Sequence, residues 1–154
     1  DAARAVVELR EVEGARLRTD MEGRLDTMSA LLDRVEQRAP ERLEAELERL
    51  RARVTELAAG TDVDEDRLAR EIAYLAEKWD INEEIVRFRS HIALFRETFR
   101  ADEPVGKRLS FIVQEMHREA NTVGSKANDV AIGHAAVAMK EEIERLREQV
   151  ENVE

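Results

Sequence analysis

The sequence predicts an all-α fold: a long helical hairpin followed by a C-terminal helical bundle. Two observations predict it. Apolar residues recur at alternating spacings of four and three along most of the 154 residues, the repeat of a single helix face. Charged residues make up 39% of the chain and aromatics only 4%, which suits long solvated helices better than a β-rich core. A chain of this length forms one domain or two small helical pieces and can bury roughly 68–70% of its unfolded surface. The expected division is a hairpin over residues 1–59 and a helical region over residues 60–154.

The first helix is expected from about Asp1 to Arg38, with Met21, Leu25, Met28, Leu32 and Val35 on one stripe and a less regular earlier part that includes Gly14. Pro40 lacks a backbone N–H and suits the start of a helix, so the hairpin turn is predicted there. Leu43, Leu47, Leu50, Val54 and Leu57 then form the second stripe. Gly60 ends that helix, and Thr61–Asp64 offers caps for the third. Two stripes follow, Leu68, Ile72, Leu75 and Trp79, then Ile85, Phe88, Ile92, Phe95 and Phe99, and they are out of phase. The slip falls at Asp80–Glu84, where Asp80 and Glu83 have capping-box spacing. The helix breaks or changes its partner there. After the Ala101–Pro104 loop comes a polar-rich amphipathic helix, with Asn121–Thr122 and Gly124–Ser125 as possible turn sites near its end. A terminal helix follows, with Ile132, Ala136, Met139, Ile143, Leu146, Val150 and Val153 in unbroken order. That face is long enough to pack along the first hairpin or a second subunit.

Composition excludes several classes. Without cysteine there is no disulfide and no thiolate metal site, as suits a reducing cytoplasm. No run approaches the ~18 apolar residues of a membrane span, and no signal-peptide pattern opens the chain. The chain starts at Asp1 inside a helical pattern and reads as a fragment. There is no nucleotide-binding glycine loop, no serine or cysteine triad pattern and no HExxH zinc motif. The net charge of −10 argues against simple electrostatic attraction to nucleic acid. An RNA substrate therefore requires local basic groups, divalent cations or a further basic region.

The helix beginning PVGKRLSF carries the densest chemistry. Val105, Leu109, Ile112, Met116, Ala120 and Val123 form its apolar face. Glu115 and Glu119 lie along one border of that face, with Arg108, Thr122 and Lys126 close by; Gln114, Arg118, Asn121 and Ser125 form a second polar stripe. An i, i+4 carboxylate pair repels itself unless a cation intervenes: either Lys126 or Arg108 supplies it, or a divalent metal does. Upstream, Asp80, Glu84, Arg87 and His91 fall within one narrow arc, with Glu83 at its edge. Glu84 and His91 can ligate a manganese-like ion; alternatively, Asp80 caps a helix, Glu84 pairs with Arg87, and His91 is a boundary residue. His117 and His134 are expected at the surface. Trp79 and Tyr74 are expected in helix packing rather than base stacking.

PVGKRLSFIVQEMHREANTVGSK resembles the C-terminal signature of the YicC/YloC family of bacterial endoribonucleases, approximately PxGrrLdFxxQExxREaNTxxSK. The resemblance extends to the DINEEI run with its following His91, to Arg10, Glu13 and Gly14 as RxxEG, and to the REQVENVE terminus. Glu151 stands where the family usually has glutamine, and His117 where asparagine is common. The resemblance implies a cytoplasmic bacterial enzyme that cleaves RNA internally with a divalent cation, as a ring-like homo-oligomer, a hexamer. It also implies an N-terminal region about as long again as this chain. On that reading Glu115 and Glu119, with Glu84 and His91, hold Mn²⁺ or Mg²⁺. The catalytic set is then Glu115, Glu119, Arg118 and His91. Arg118 and Lys126 stabilise developing negative charge, and Gln114, Asn121, Ser125 and Arg108 contact the strand. Two other classes stay open: a helical oligomerisation scaffold whose polar groups form ion-pair networks, and a non-catalytic RNA-binding adaptor.

Overall fold

The computed structural model describes residues 2–101 and 104–151. Five helices occur among the described residues: α1 (Ala2–Leu57), α2 (Glu65–Trp79), α3 (Asn82–Phe99), α4 (Gly106–Lys126) and α5 (Val130–Val150). No strand occurs among them, so the predicted all-α class holds.

The turn predicted at Pro40 is absent. α1 runs 56 residues with Pro40 inside it, about 84 Å at 1.5 Å per residue. Proline removes one intrahelical hydrogen bond, a cost that normally breaks a helix. Here tertiary contacts on both sides hold the axis together. Ala39 packs against the core, Arg38 pairs with Asp129 at 3.1 Å, and Arg42 donates to the Trp79 carbonyl at 2.8 Å. The expected hairpin over residues 1–59 therefore does not form, and its two stripes lie along one helix; the chain reverses instead at residues 58–64, between α1 and α2. Gly60 supplies a positive φ of 87°, and Asp64 caps α2 by accepting from Arg67 N at 3.0 Å.

The middle of α1 and helices α3, α4 and α5 form an antiparallel four-helix bundle, and the cross-pairs fix the directions. Arg24 pairs with Glu142 and Arg38 with Asp129, so α1 and α5 run oppositely. Arg89 reaches Asp33 and Arg96 reaches Glu22, which sets α1 against α3. Gly124 lets α4 approach α5: a Cβ there would meet the Ala136 Cβ at 3.3 Å. One core joins Met21, Leu25, Met28, Leu32 and Val35 of α1 to the stripes of α3, α4 and α5. Residues 1–59 and 60–154 therefore share a core.

The out-of-phase stripes are explained by a break at Asp80–Ile81. Asp80 is extended and accepts from Asn82 N at 2.9 Å. α4 does not turn at Asn121 or Gly124 but runs to Lys126. The chain reverses at Asn128, whose φ of 42° is left-handed, a conformation asparagine tolerates better than most residues. Asp129 then caps α5 by accepting from Ile132 N at 3.0 Å. The α5 stripe from Ile132 to Val150 is buried against α1 and α4; Val153 lies outside the described residues. No helix among the described residues is long and apolar enough to cross a membrane.

Candidate metal and phosphate site on the α3–α4 seam

α3 and α4 pack antiparallel, which brings the two polar arcs read in the sequence against each other. Arg87 of α3 sits at the centre. Its Nε donates to Glu119 Oε1 at 3.1 Å and its Nη2 to Glu84 Oε1 at 3.2 Å, and it also pairs with Glu83. Lys126 Nζ donates to Glu84 Oε1 at 2.8 Å and to the Asp80 carbonyl at 3.4 Å. Arg118 lies 2.6 Å from Glu115 Oε2 and 3.5 Å from Glu119 Oε1. The hydrogen bond to Glu119 holds the Arg87 guanidinium above its ordinary pKa, against the opposing effect of burial.

Burial gives the cluster its character. Glu84 is 3% exposed and Glu119 is 1% exposed. Carboxylates buried to that degree need charged or hydrogen-bonding partners. The four carboxylates of Glu83, Glu84, Glu115 and Glu119 face the three cations Arg87, Arg118 and Lys126, one negative charge in excess. Glu84 Oε2 is buried with no hydrogen-bond donor.

His91, Glu115 and Glu119 each bring one potential ligand atom to within 4.8 Å of the others. Imidazole nitrogen with carboxylate oxygens is a donor set that suits manganese or magnesium. These residues fit a divalent ion, with a modest closing of the side chains and with Arg118 sharing or yielding its hold on Glu115. Glu84, expected in the same ligand set, is not in this grouping; Arg87 and Lys126 hold it one step away.

The other expected site residues divide. Arg118 and Lys126 are at the cluster. Gln114 is exposed. Asn121 is exposed, with its amide 3.1 Å from His117 Nδ1, and Ser125 donates to the Thr122 carbonyl at 3.1 Å; both stand on the outer polar stripe. Arg108 is exposed and is not paired with Glu115, so the cation on that carboxylate is Arg118 rather than the expected Arg108 or Lys126. Of the other histidines, His134 is exposed and His117 is half-buried, its Nε2 lying 4.0 Å from Glu144. Tyr74 is exposed rather than packed. Phe111 was not anticipated: it stands one turn before Glu115 on the same border and is 60% exposed. Its position outside the apolar face of α4 was the available signal.

A helical bundle with a buried acidic pair, bridging cations and an adjacent histidine defines the class: a helical protein with a candidate metal and phosphate site. Residues 35–154 match the family described as endoribonuclease YicC-like, C-terminal. The chain is 39% identical over its full length to a protein of Clostridioides difficile (strain 630) named probable endoribonuclease YicC, covering 53% of that protein. It is 33% identical over 96% of its length to a protein of the same name from Haemophilus influenzae (strain ATCC 51907 / DSM 11121 / KW20 / Rd), covering 51% of it. The chain thus spans about half the length of these curated relatives. It belongs to the YicC-like family, within the C-terminal region.

Proposed function

We propose that this region contributes the metal- and phosphate-binding part of an endoribonuclease that cleaves RNA internally. The observation that carries the reading is the convergence of His91, Glu115 and the buried Glu119 from two helices. The names of the two relatives support RNA as the substrate class. A bound Mn²⁺ or Mg²⁺ would polarise a phosphate oxygen and lower the pKa of water. The chain's own residues do the rest. Arg118, 64% exposed at its side chain, presents a guanidinium fork to a phosphate. Arg87 holds Glu119 in place, and Lys126 neutralises Glu84. Gln114, Asn121 and Ser125 offer polar contacts along the outer stripe, Arg108 adds a cation on the carboxylate border, and Phe111 gives a base a face to stack on. The proposal includes the cytoplasmic location and the homo-hexameric ring that family resemblance implies.

The test combines binding and cleavage. Calorimetry should show Mn²⁺ binding by the wild type, tighter than Ca²⁺, and loss of it in the Glu115→Gln/Glu119→Gln double variant. In the full-length protein, Glu119→Gln should lower metal-dependent RNA cleavage about 10²-fold or more, the scale of losing a key electrostatic group, with helicity unchanged by circular dichroism. Equal Mn²⁺ binding by both proteins, or full cleavage by Glu119→Gln, would move the site elsewhere.

A further inference from the structure

Tyr74 is an aromatic side chain whose place the packing of the bundle does not explain. It is 60% exposed. The side of α2 that packs on α1 carries Leu68, Ile72, Leu75 and Trp79, all of them buried or half-buried. At 3.6 residues per turn Tyr74 points about 130° away from that side. Among the described residues its ring meets no other ring and no cation. The ring is open to a planar ligand.

Its neighbours on this outer surface are cations. Arg70 stands one turn before it, Lys78 one turn after it and Arg67 two turns before it, and all three are exposed. With Tyr74 they fall in an arc of about 80°. Among the described residues no carboxylate lies within ion-pair distance of these three, whereas Arg87, Arg89 and Arg96 are each held by acids. Glu71 and Glu77, also exposed, stand just outside the arc, one at each edge. The net charge of the surface is therefore small, and long-range attraction of a polyanion is not what it offers. It offers a flat ring with a point charge about 6 Å to either side along the helix axis. Single-stranded nucleic acid is held by that combination, a base stacked on the ring and the flanking phosphates on the cations. A protein partner would want further apolar groups around the ring, and the arc holds none.

We infer that the outer face of α2 is a second RNA-binding surface, on which Tyr74 stacks with a base of a single-stranded segment while Arg67, Arg70 and Lys78 take its phosphates. The inference rests on RNA being the substrate. Lys78 lies two residues before Asp80, whose carbonyl accepts from Lys126 at 3.4 Å, and Lys126 also holds Glu84 of the candidate site. From Lys78 back to Arg67 the helix rises about 17 Å. The stripe thus leads away from the candidate site along α2, where it grips the strand without reading its sequence.

The test uses the full-length protein and a short labelled uridine strand, with binding measured by fluorescence anisotropy and chelator present to prevent cleavage. Tyr74→Ala should weaken binding about tenfold, within the range of one lost base–aromatic stack. Tyr74→Phe should keep wild-type affinity, because the ring remains. Arg70→Gln/Lys78→Gln should flatten the slope of log K against log salt by about 1.4, the share of two phosphate contacts on a single strand. Circular dichroism should show unchanged helicity in each variant, since the altered side chains are exposed. A strand carrying 5-iodouridine, irradiated in the complex, should crosslink within residues 67–78. Unchanged affinity in Tyr74→Ala, or a crosslink formed only outside that stretch, would overturn this inference and leave the cleavage reading intact. No binding of any strand by the wild type would overturn both. Binding through Tyr74 in a protein whose Glu119→Gln variant still cleaves fully would keep this surface and move the catalytic site elsewhere.

Discussion

The α1–α3 and α3–α4 seams are both crossed by arginine–carboxylate pairs, but with burial inverted. On the α1–α3 seam Arg89 pairs with Asp33 and Glu36, whose side chains are 57% and 53% exposed. On the α3–α4 seam the Arg87 side chain is 39% exposed while that of its partner Glu119 is 2% exposed. Exposed acids can be solvated by water whether or not arginine is present, so the first seam is a cross-brace. Buried acids depend on their partners, so the second seam is destabilised when a partner is removed. That dependence distinguishes the buried seam from a surface ion pair.

Removing the bridging cation should break the comparison most visibly. Arg87→Met leaves Glu119 to Arg118 and Glu84 to Lys126, each with one fewer partner. The expected loss is about 3 kcal/mol, the low end for breaking a buried pair because both acids keep one cation. Urea denaturation should show a lower midpoint with an unchanged slope. Added Mn²⁺ should raise the melting temperature of this variant more than that of the wild type, because a bound ion would take over the missing charge. A loss under ~1 kcal/mol with no such difference would make the two seams equivalent.

The fold was legible wherever apolar spacing alone decided the outcome. Met21, Leu25, Met28, Leu32 and Val35, and the stripe from Ile132 to Val150, are all in the core, because a helix face with that repeat has to be buried. Pro40 was misread because a local rule was overridden by contacts far away in sequence, at Trp79 and Asp129. The candidate site was half legible. Glu115–Glu119 and Glu84–His91 each stood out as an arc on its own helix. Their meeting depends on the antiparallel register of α3 and α4, which no within-helix spacing encodes. The pairing of Arg118 with Glu115 likewise follows from tertiary placement.

Asp129 sharpens the comparison from an intermediate position, since its side chain is 11% exposed and it serves both as a cap and as a brace to Arg38. Burial pushes its carboxyl up, but hydrogen bonds from the Ile132 and Ala131 amides and from Arg38 outweigh this and leave it below the ordinary range. Its folded pKa is lower than its unfolded value, so its contribution is present above about pH 4 and lost as pH falls through the folded pKa. Asp129→Ala should cost about 1 kcal/mol near neutral pH, the usual worth of a helix N-cap. Asp129→Asn keeps the cap oxygen, so its deficit should shrink as the wild type is acidified. Melting curves between pH 3 and pH 6 check this, and an Asp129→Asn deficit independent of pH would mean that the charge of the carboxylate contributes nothing.

The smallest effect is expected on the exposed seam. Arg89→Ala removes a guanidinium bound to two carboxylates, more contacts than many buried pairs make, and a count of bonds would rank it as severe. Both acids face solvent, however, and water replaces the arginine at little cost. Exposed pairs contribute about 0.2–1 kcal/mol, and this contribution should shrink further at 1 M salt, where screening acts within about 3 Å. The stability of wild type and Arg89→Ala should therefore converge as salt is added, whereas Arg87→Met should keep most of its deficit because Glu119 is shielded from the electrolyte. If Arg89→Ala instead lost as much as Arg87→Met at high salt, burial of the acid would not decide what these bridges do, and the α3–α4 seam would lose its claim to be anything more than another brace.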